Sequence, residues 1–445
     1  MSKKKKIQDS SLGYSLLRGY VIPSLFQAYR KIEYVGLDKI PSDGAIIYAP
    51  NHTNALMDAL VVLSIDKKPK VFVARADIFR KKLIAKILTF LKIMPIMRIR
   101  DGFDQVKKNN QTIEKAVDVL KDRVPFCILP EGTHRAMHSL LPLSKGIFRI
   151  AISAQEAMTD ETPIYIVPLG LEYGNFFRFR STLLVQVGTP INVKDYLEEH
   201  NELSVSEKIN DLKDILTDRL KDVVMYIPAD ENYDATYNIC AVRINHQVDK
   251  YLEHNRGARR LGLMTRFYSN KETLSELETL KQANPSKIEK IFKAANEIDA
   301  IRKERRISLS SIVLKTPIWS VILKTLLLLI TFPYAIPAAI LSLPVTLPSR
   351  IILSKIKDDA FFNSLRFLIT LIVWPLALLI YGIILLFAFN FSWQNILLIF
   401  VLILPMNLFS QDYFRLLRNY ISDMKFIFNK DLKEKIIKLN AYFLD

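Results

Sequence analysis

The chain has 445 residues, half of them hydrophobic and only two of them cysteine, so it is longer than one ordinary domain and is no disulfide-stapled scaffold. A formal net charge of +17 rules out an acidic chain and points to an anionic partner: nucleic acid, acidic lipid, or a phosphorylated or thioester-linked substrate. The apolar residues crowd into the last third, and no nucleic-acid-binding module is recognisable, so the expected partner is the lipid bilayer rather than nucleic acid.

In chain order, residues 1–30 form a basic, interfacial element. No apolar core with a cleavage site follows the lysines at 3–6, so no cleaved signal peptide is expected. Leu16, Leu17, Tyr20, Val21, Leu25, Phe26 and Tyr29 recur at roughly helical spacing, which suits a helix lying on a bilayer or one packed on the next domain. Polybasic runs at 3–6 and 302–306 would each gain about 1 kcal/mol per cation beside anionic headgroups.

Residues 31–203 alternate short apolar strands with helical stretches, the pattern of an α/β domain with a mixed sheet flanked by helices. Strands are expected at 45–49, 70–74, 94–98, 125–129, 164–171 and 183–187. Helices are expected at 51–63, entered through a loop, and at 81–90, 106–121 and 146–157. Residues 204–315 carry many charges on helical stretches at 206–223, 237–252 and 275–303, and are expected to form a helical accessory region without a functional motif.

A C-terminal transmembrane region is expected over 316–411. The tract 325–349 is long enough for one span at about 1.5 Å per residue. Pro333, Pro337, Pro344 and Pro348 instead favour a broken or re-entrant hairpin there. The uncharged tract 367–411 is interrupted at 390–395 and reads as two spans. Basic flanks at 350–357 and 415–438 would both face the cytoplasm, with 412–445 as a basic cytoplasmic tail and the active site on the cytoplasmic face.

The first candidate chemical site is Asn51-His52-Thr53-Asn54-Ala55-Leu56-Met57-Asp58. Taking a proton from a hydroxyl needs a base near neutral pH, and imidazole as a class titrates there. Asp58 would hold and polarise the ring. Six residues rotate about 240° on an ideal helix, so the two meet only if His52 stands in the turn before it, which Pro50 favours. Alone, such a pair is more often structural.

The second site is Pro130-Glu131-Gly132-Thr133-His134-Arg135, directly after an expected strand. Glycine lets the backbone approach a ligand, while Glu131, Thr133 and Arg135 supply polar groups. Lys145 adds a cation at a helix start. Arg98 and Arg100 are suited to bidentate phosphate recognition. Val167 and Pro168 either line an acyl-chain path or belong to the core. Cys127, inside an expected strand, makes a poor nucleophile, and Cys127 and Cys240 are too far apart to suggest a metal site.

Together, in this order and spacing, these segments resemble the glycerol-3-phosphate and 1-acylglycerol-3-phosphate (lysophosphatidate) acyltransferase family over roughly residues 30–200. The resemblance implies His52 as base and Asp58 as its partner. It implies Arg98, Glu131, Gly132 and Thr133 as acceptor-site residues, with Arg100, Arg135 and Lys145 as further cations, and Val167 and Pro168 near the acyl donor. Two departures stand out. Five residues separate His52 from Asp58 where the commonest form has four, a spacing resembling a eukaryotic-like glycerol-3-phosphate acyltransferase branch. His134 follows Pro-Glu-Gly-Thr where many members have arginine, and Arg135 comes next.

The expected function is transfer of a fatty acyl group from acyl-CoA or acyl carrier protein, as co-substrate, to a hydroxyl of 1-acylglycerol 3-phosphate, with glycerol 3-phosphate the alternative acceptor. No metal or other cofactor is expected. From another class, an idle lipid-binding membrane scaffold fits the same domain, but the presence of both His52 and Asp58 argues against it.

Overall fold

Ser11 accepts the Tyr14 N–H and so starts α1 (Leu12–Ala28), which buries Tyr14, Leu25 and Ala28 and leaves Leu12, Leu16, Tyr20 and Phe26 exposed. In this computed structural model residues 6–97, 109–314, 317–388 and 391–443 are described. Arg98 and Arg100, with the ends of the expected elements 94–98 and 106–121, lie outside them. The chain passes from α1 straight into β1 (Tyr29–Val35), where the helical spacing had run on to residue 30. No turn residue marks that change.

The chain divides into two compact units, residues 1–226 with 356–367, and residues 227–355 with 368–445. In the first, β1 is joined by β2 (Ala45–Pro50), β3 (Val71–Arg75), β4 (Ile93–Ile96), β5 (Phe126–Cys127), β6 (Ile164–Tyr173), β7 (Ser181–Val187) and β8 (Ile191–Asn192). Their order is β1-β7-β6-β2-β5-β3-β4, with β8 against β6. Strand β6 runs antiparallel to β7 and β8, and the other pairings are parallel, which makes a mixed sheet.

Helices α2 (Leu56–Ser64), α3 (Lys82–Phe90), α4 (Asn109–Lys121), α5 (Gly146–Glu156), α6 (Val193–Glu199) and α7 (Val205–Val223) flank this sheet. The core joins Ala45, Ile47 and Ala49 of β2 and Ile164 and Ile166 of β6 to Ile147, Phe148 and Ala151 of α5 and to Leu212, Leu216 and Leu220 of α7. These positions follow the strand period of two and the helix spacing of three to four. A fully buried side chain such as Ile47 contributes roughly 1.5–3 kcal/mol. β2 is buried from end to end because a central parallel strand has both faces covered.

The second unit is helical: α8 (Tyr233–His254), α9 (Leu263–Ala283), α10 (Pro285–Glu304), α11 (Leu309–Ile312), α12 (Pro317–Leu341), α13 (Leu343–Leu353), α14 (Phe362–Ala388, its first turn counted with the first unit), α15 (Trp393–Ile403), α16 (Met406–Phe428) and α17 (Lys430–Ala441). The expected helical stretch 275–303 is split between α9 and α10. Pro285 cannot continue the hydrogen-bond ladder, and Asn284 caps a fresh start by accepting the Lys287 N–H.

Among the described residues three helical stretches, Pro317–Leu341, Asp359–Phe387 and Trp393–Phe428, are long and apolar enough to cross a membrane. Their exposed Leu329, Ile330, Leu379, Leu398 and Val401 are the kind of surface that lipid covers, which marks membrane association. Of the four prolines in 325–349, two lie inside a continuous helix. α12 continues through Pro333 and Pro337, and the break falls at Ser342, with Pro344 in the first turn of α13. Each internal proline removes one backbone bond, a loss that apolar helices tolerate because leaving the helix would expose more unsatisfied backbone.

Candidate active site

β2 and β5 lie side by side and parallel, with Tyr48 opposite Cys127, so the loops that leave their C-terminal ends meet although they are far apart in sequence. Open α/β sheets commonly build their sites on that edge. The first loop turns sharply at Ala55, whose φ of 46° and ψ of −122° is a conformation glycine adopts more easily. This turn puts His52 ahead of α2 and Asp58 in its first turn.

Asp58 is fully buried, and its carboxylate is surrounded by donors. Oδ2 accepts the Thr53 and Asn54 N–H groups at 2.8 Å each and lies 2.8 Å from His52 Nδ1, while Oδ1 accepts the Tyr173 hydroxyl at 2.6 Å. A helix N-terminus also favours negative charge at this point. Burial, and then the Asp58 charge, push the Tyr173 hydroxyl well above its ordinary range, so it stays protonated and donates to Asp58. The carboxylate requires a hydrogen on Nδ1, which leaves Nε2 of His52 as an acceptor. The His52 side chain is 15% exposed while Asp58 is sealed, so the pair presents only imidazole outward.

The second loop is stitched to the first through the backbone of His52. Glu131 Oε1 accepts the His52 N–H at 2.7 Å, Oε2 accepts the Leu141 N–H at 2.9 Å, and Arg135 donates its N–H to the His52 carbonyl at 3.1 Å. Burial pushes the Glu131 carboxyl up to about 7, against the pull of those two N–H groups. Gly132 has a φ of 66° and, with Thr133 and Lys145, is exposed. Arg135 turns to Ser139 Oγ at 2.8 Å. Val167 and Pro168 are buried within the sheet, opposite Tyr48 and Ala49 of β2. Cys127 is wholly buried, and burial pushes its thiol far up, away from nucleophilic use.

Several residues to which the sequence pattern gave no role complete the site. Tyr173 and Glu172 end β6; Glu172 lies 3.0 Å from His138 Nδ1 and accepts the Met225 N–H. Asn51 exchanges hydrogen bonds with the Leu171 backbone and fixes the first loop to β6. The stretch 356–367 also belongs here. Asp358 Oδ2 is 2.9 Å from His134 Nε2, and the Phe361 ring stands edge-on to His134 at 4.7 Å. Burial opposes ionisation of Asp358, yet hydrogen bonds from His134 and the Ala360 N–H outweigh it and hold the carboxyl below its ordinary range. The one local signal for this stretch is the acidic pair Asp358-Asp359 between basic and apolar segments.

A family model described as Acyltransferase matches residues 31–172. Over 159 residues the chain is 30% identical to Glycerol-3-phosphate O-acyltransferase 2 of Saccharomyces cerevisiae, covering 35% of this chain and 21% of that protein. Over 151 residues it is 27% identical to the chloroplastic 1-acyl-sn-glycerol-3-phosphate acyltransferase BAT2 of Brassica napus, covering 33% and 39%. The crystal structure of the 1-acyl-sn-glycerophosphate acyltransferase PlsC from Thermotoga maritima aligns at 17% identity with a TM-score of 0.33, over 47% of this chain and 86% of that one. The matched stretches thus span about a fifth and two fifths of the length of the two curated relatives. The stretch 31–172 carries an Acyltransferase family domain by the family-model match, and the paired loops and the His52–Asp58 couple lie inside its bounds.

Proposed function

We propose that the chain transfers a fatty acyl group from acyl-CoA or acyl carrier protein to the free hydroxyl of 1-acylglycerol 3-phosphate. The observation that carries this reading is the His52–Asp58 couple, with Nδ1 held by a buried carboxylate and Nε2 left to accept a proton. His52 Nε2 removes the acceptor hydroxyl proton as that oxygen attacks the thioester carbonyl. The tetrahedral intermediate then collapses, the carbon–sulfur bond breaks, and the thiolate takes the proton back from His52. Asp58 stabilises the imidazolium between the two steps, and general-base help of this kind contributes about 10²- to 10⁴-fold. No covalent acyl-enzyme is required, and the donor is a co-substrate rather than a resident cofactor.

The exposed Gly132–Thr133 turn and the cations Arg135 and Lys145, with Arg98 and Arg100 from the segment outside the described residues, would receive the acceptor phosphate. An acceptor that keeps one acyl chain stays in the bilayer, which suits a chain with three apolar helical stretches. The basic flanks at 350–357 and 415–438 support a cytoplasmic active site.

Glycerol 3-phosphate is the second reading, favoured by the five residues between His52 and Asp58 and by the yeast relative at 30% identity. The test incubates purified protein with labelled acyl-CoA or acyl carrier protein and each acceptor in turn, then identifies the product. Turnover that His52→Ala lowers at least about 10²-fold supports the proposal. Near-normal transfer by a well-folded His52→Ala overturns it, and lipid binding without turnover on any acceptor would favour the idle scaffold.

A further inference from the structure

We infer that Asp358 is a positioning residue for acceptor recognition, acting through His134. The inference rests on the proposed acyl transfer. His134 follows Pro-Glu-Gly-Thr on the loop whose backbone is bonded to His52, and its ring lies 5.4 Å from the His52 ring, edge to face. An acceptor whose hydroxyl sits at His52 Nε2 therefore carries its phosphate within reach of His134. Free imidazole on an exposed loop samples many orientations, whereas this ring is held from two sides. Asp358 Oδ2 fixes Nε2 at 2.9 Å, and the Phe361 ring packs against it at 4.7 Å. With Nε2 occupied, Nδ1 is the ring atom left to meet a phosphate oxygen, which it does as a donor when the ring carries both hydrogens.

The holding segment is itself fastened. Asp358 Oδ1 accepts the Ala360 N–H at 3.0 Å, Ser364 Oγ donates to the Asn54 carbonyl at 3.4 Å, and Arg366 donates to the Phe177 carbonyl at 2.7 Å. Asn363 adds a bond to the Phe176 carbonyl. Segment 356–367 therefore ties the His134 ring to both the Asn54 turn and the Phe176 loop. It lies outside the stretch matched by the family model, so the domain motif alone does not supply this device. A ring fixed beside the base, by a residue that never meets the reacting atoms, should set acceptor affinity rather than the chemical step.

The experiment measures initial rates against acceptor at saturating donor, and against donor at saturating acceptor. It compares wild type with Asp358→Ala, Asp358→Asn, His134→Ala and the double variant His134→Ala/Asp358→Ala. Asp358→Ala should raise the acceptor KM about tenfold, with kcat and the donor KM moving less than about threefold. Asp358→Asn, which keeps an oxygen acceptor for Nε2–H, should recover most of that loss. The double variant should be no worse than His134→Ala alone, because Asp358 acts through that ring. Losses that multiply in the double variant, a fall confined to kcat, or an unmoved acceptor KM would each overturn the inference. If Asp358→Ala does not fold, Phe361→Leu removes the other support of the ring and must raise the acceptor KM in the same way, or the inference fails. Absence of wild-type turnover on every acceptor would instead defeat the proposed function.

Discussion

The Tyr173 hydroxyl donates to Asp58 Oδ1 at 2.6 Å, joining the end of β6 to a residue 115 positions earlier in the sequence, in the first turn of α2. This bond occupies the carboxylate oxygen that His52 does not use, so it orients Asp58 without competing for the imidazole. Tyr173→Phe leaves the ring in place and removes one donor from a buried carboxylate, a loss of roughly 1.5–3 kcal/mol. The expected result is a kcat about ten- to a hundredfold lower with both KM values near wild type. A kcat within twofold of wild type would show that the three remaining donors suffice.

Asp58→Asn is expected to be far more damaging. Oδ2 receives two N–H groups and faces Nδ1, and an amide nitrogen there would set donor against donor. If the amide flips, its nitrogen meets the Tyr173 hydroxyl, which must then turn and accept rather than donate. The ring would also lose the partner that fixes its tautomer, so kcat should fall about 10³- to 10⁴-fold. Kinetics on protein that retains its circular dichroism and gel-filtration profile measures this. Loss of only a few-fold would remove Asp58 from the mechanism.

Why the two loops were legible, and their partners were not, follows from where each signal resides. Residues 45–49 form an unbroken apolar run because β2 is buried on both faces, and its end at Pro50 marks the loop that carries His52. Pro130 and Gly132 mark the second loop in the same local way. That the loops meet depends on β2 and β5 being neighbours, and no residue in either loop encodes that pairing. Tyr173 lies on a long strand whose other residues are core, so only the folded sheet distinguishes it. Asp358 is farther still, beyond the whole helical region. β1 was obscured because helix and strand abut at Ala28 and Tyr29 without a turn residue between them. Pro333 and Pro337 misled in the opposite sense, since a rule calibrated on water-exposed helices overstates their effect in an apolar one.

Ala55 stores strain that glycine would not. With φ at 46° and ψ at −122°, its Cβ is crowded in a conformation that costs of order 1–3 kcal/mol. The same turn separates His52 from Asp58, so its shape must survive any substitution. Ala55→Gly should raise the melting temperature by a few degrees while leaving kcat within about twofold. A fall in both would mean that the methyl group, which is buried, contributes more through packing than the backbone loses in strain.

Glu131 gives the site a pH dependence whose sign can be worked out. Its carboxyl is raised from the ordinary 4.5 to about 7 in the fold, chiefly by burial, so folding favours the protonated form. The stability this contributes is fully present below about pH 4.5 and is lost as pH rises through about 7, on the order of 3 kcal/mol in all. Glu131→Gln is neutral throughout and does not carry that loss. Its melting temperature should therefore gain on wild type between about pH 5 and pH 8, whatever the offset at the acid end. The substitution also places an amide NH₂ against either the His52 or the Leu141 N–H, since Glu131 accepts both. Turnover should fall about ten- to a hundredfold as the His52 backbone is released, even where the variant is the more stable protein. Melting curves and kcat at matched pH separate the two effects. A melting-temperature gap that does not change with pH would mean Glu131 does not titrate in this range, and unchanged turnover would mean that the backbone anchor is dispensable.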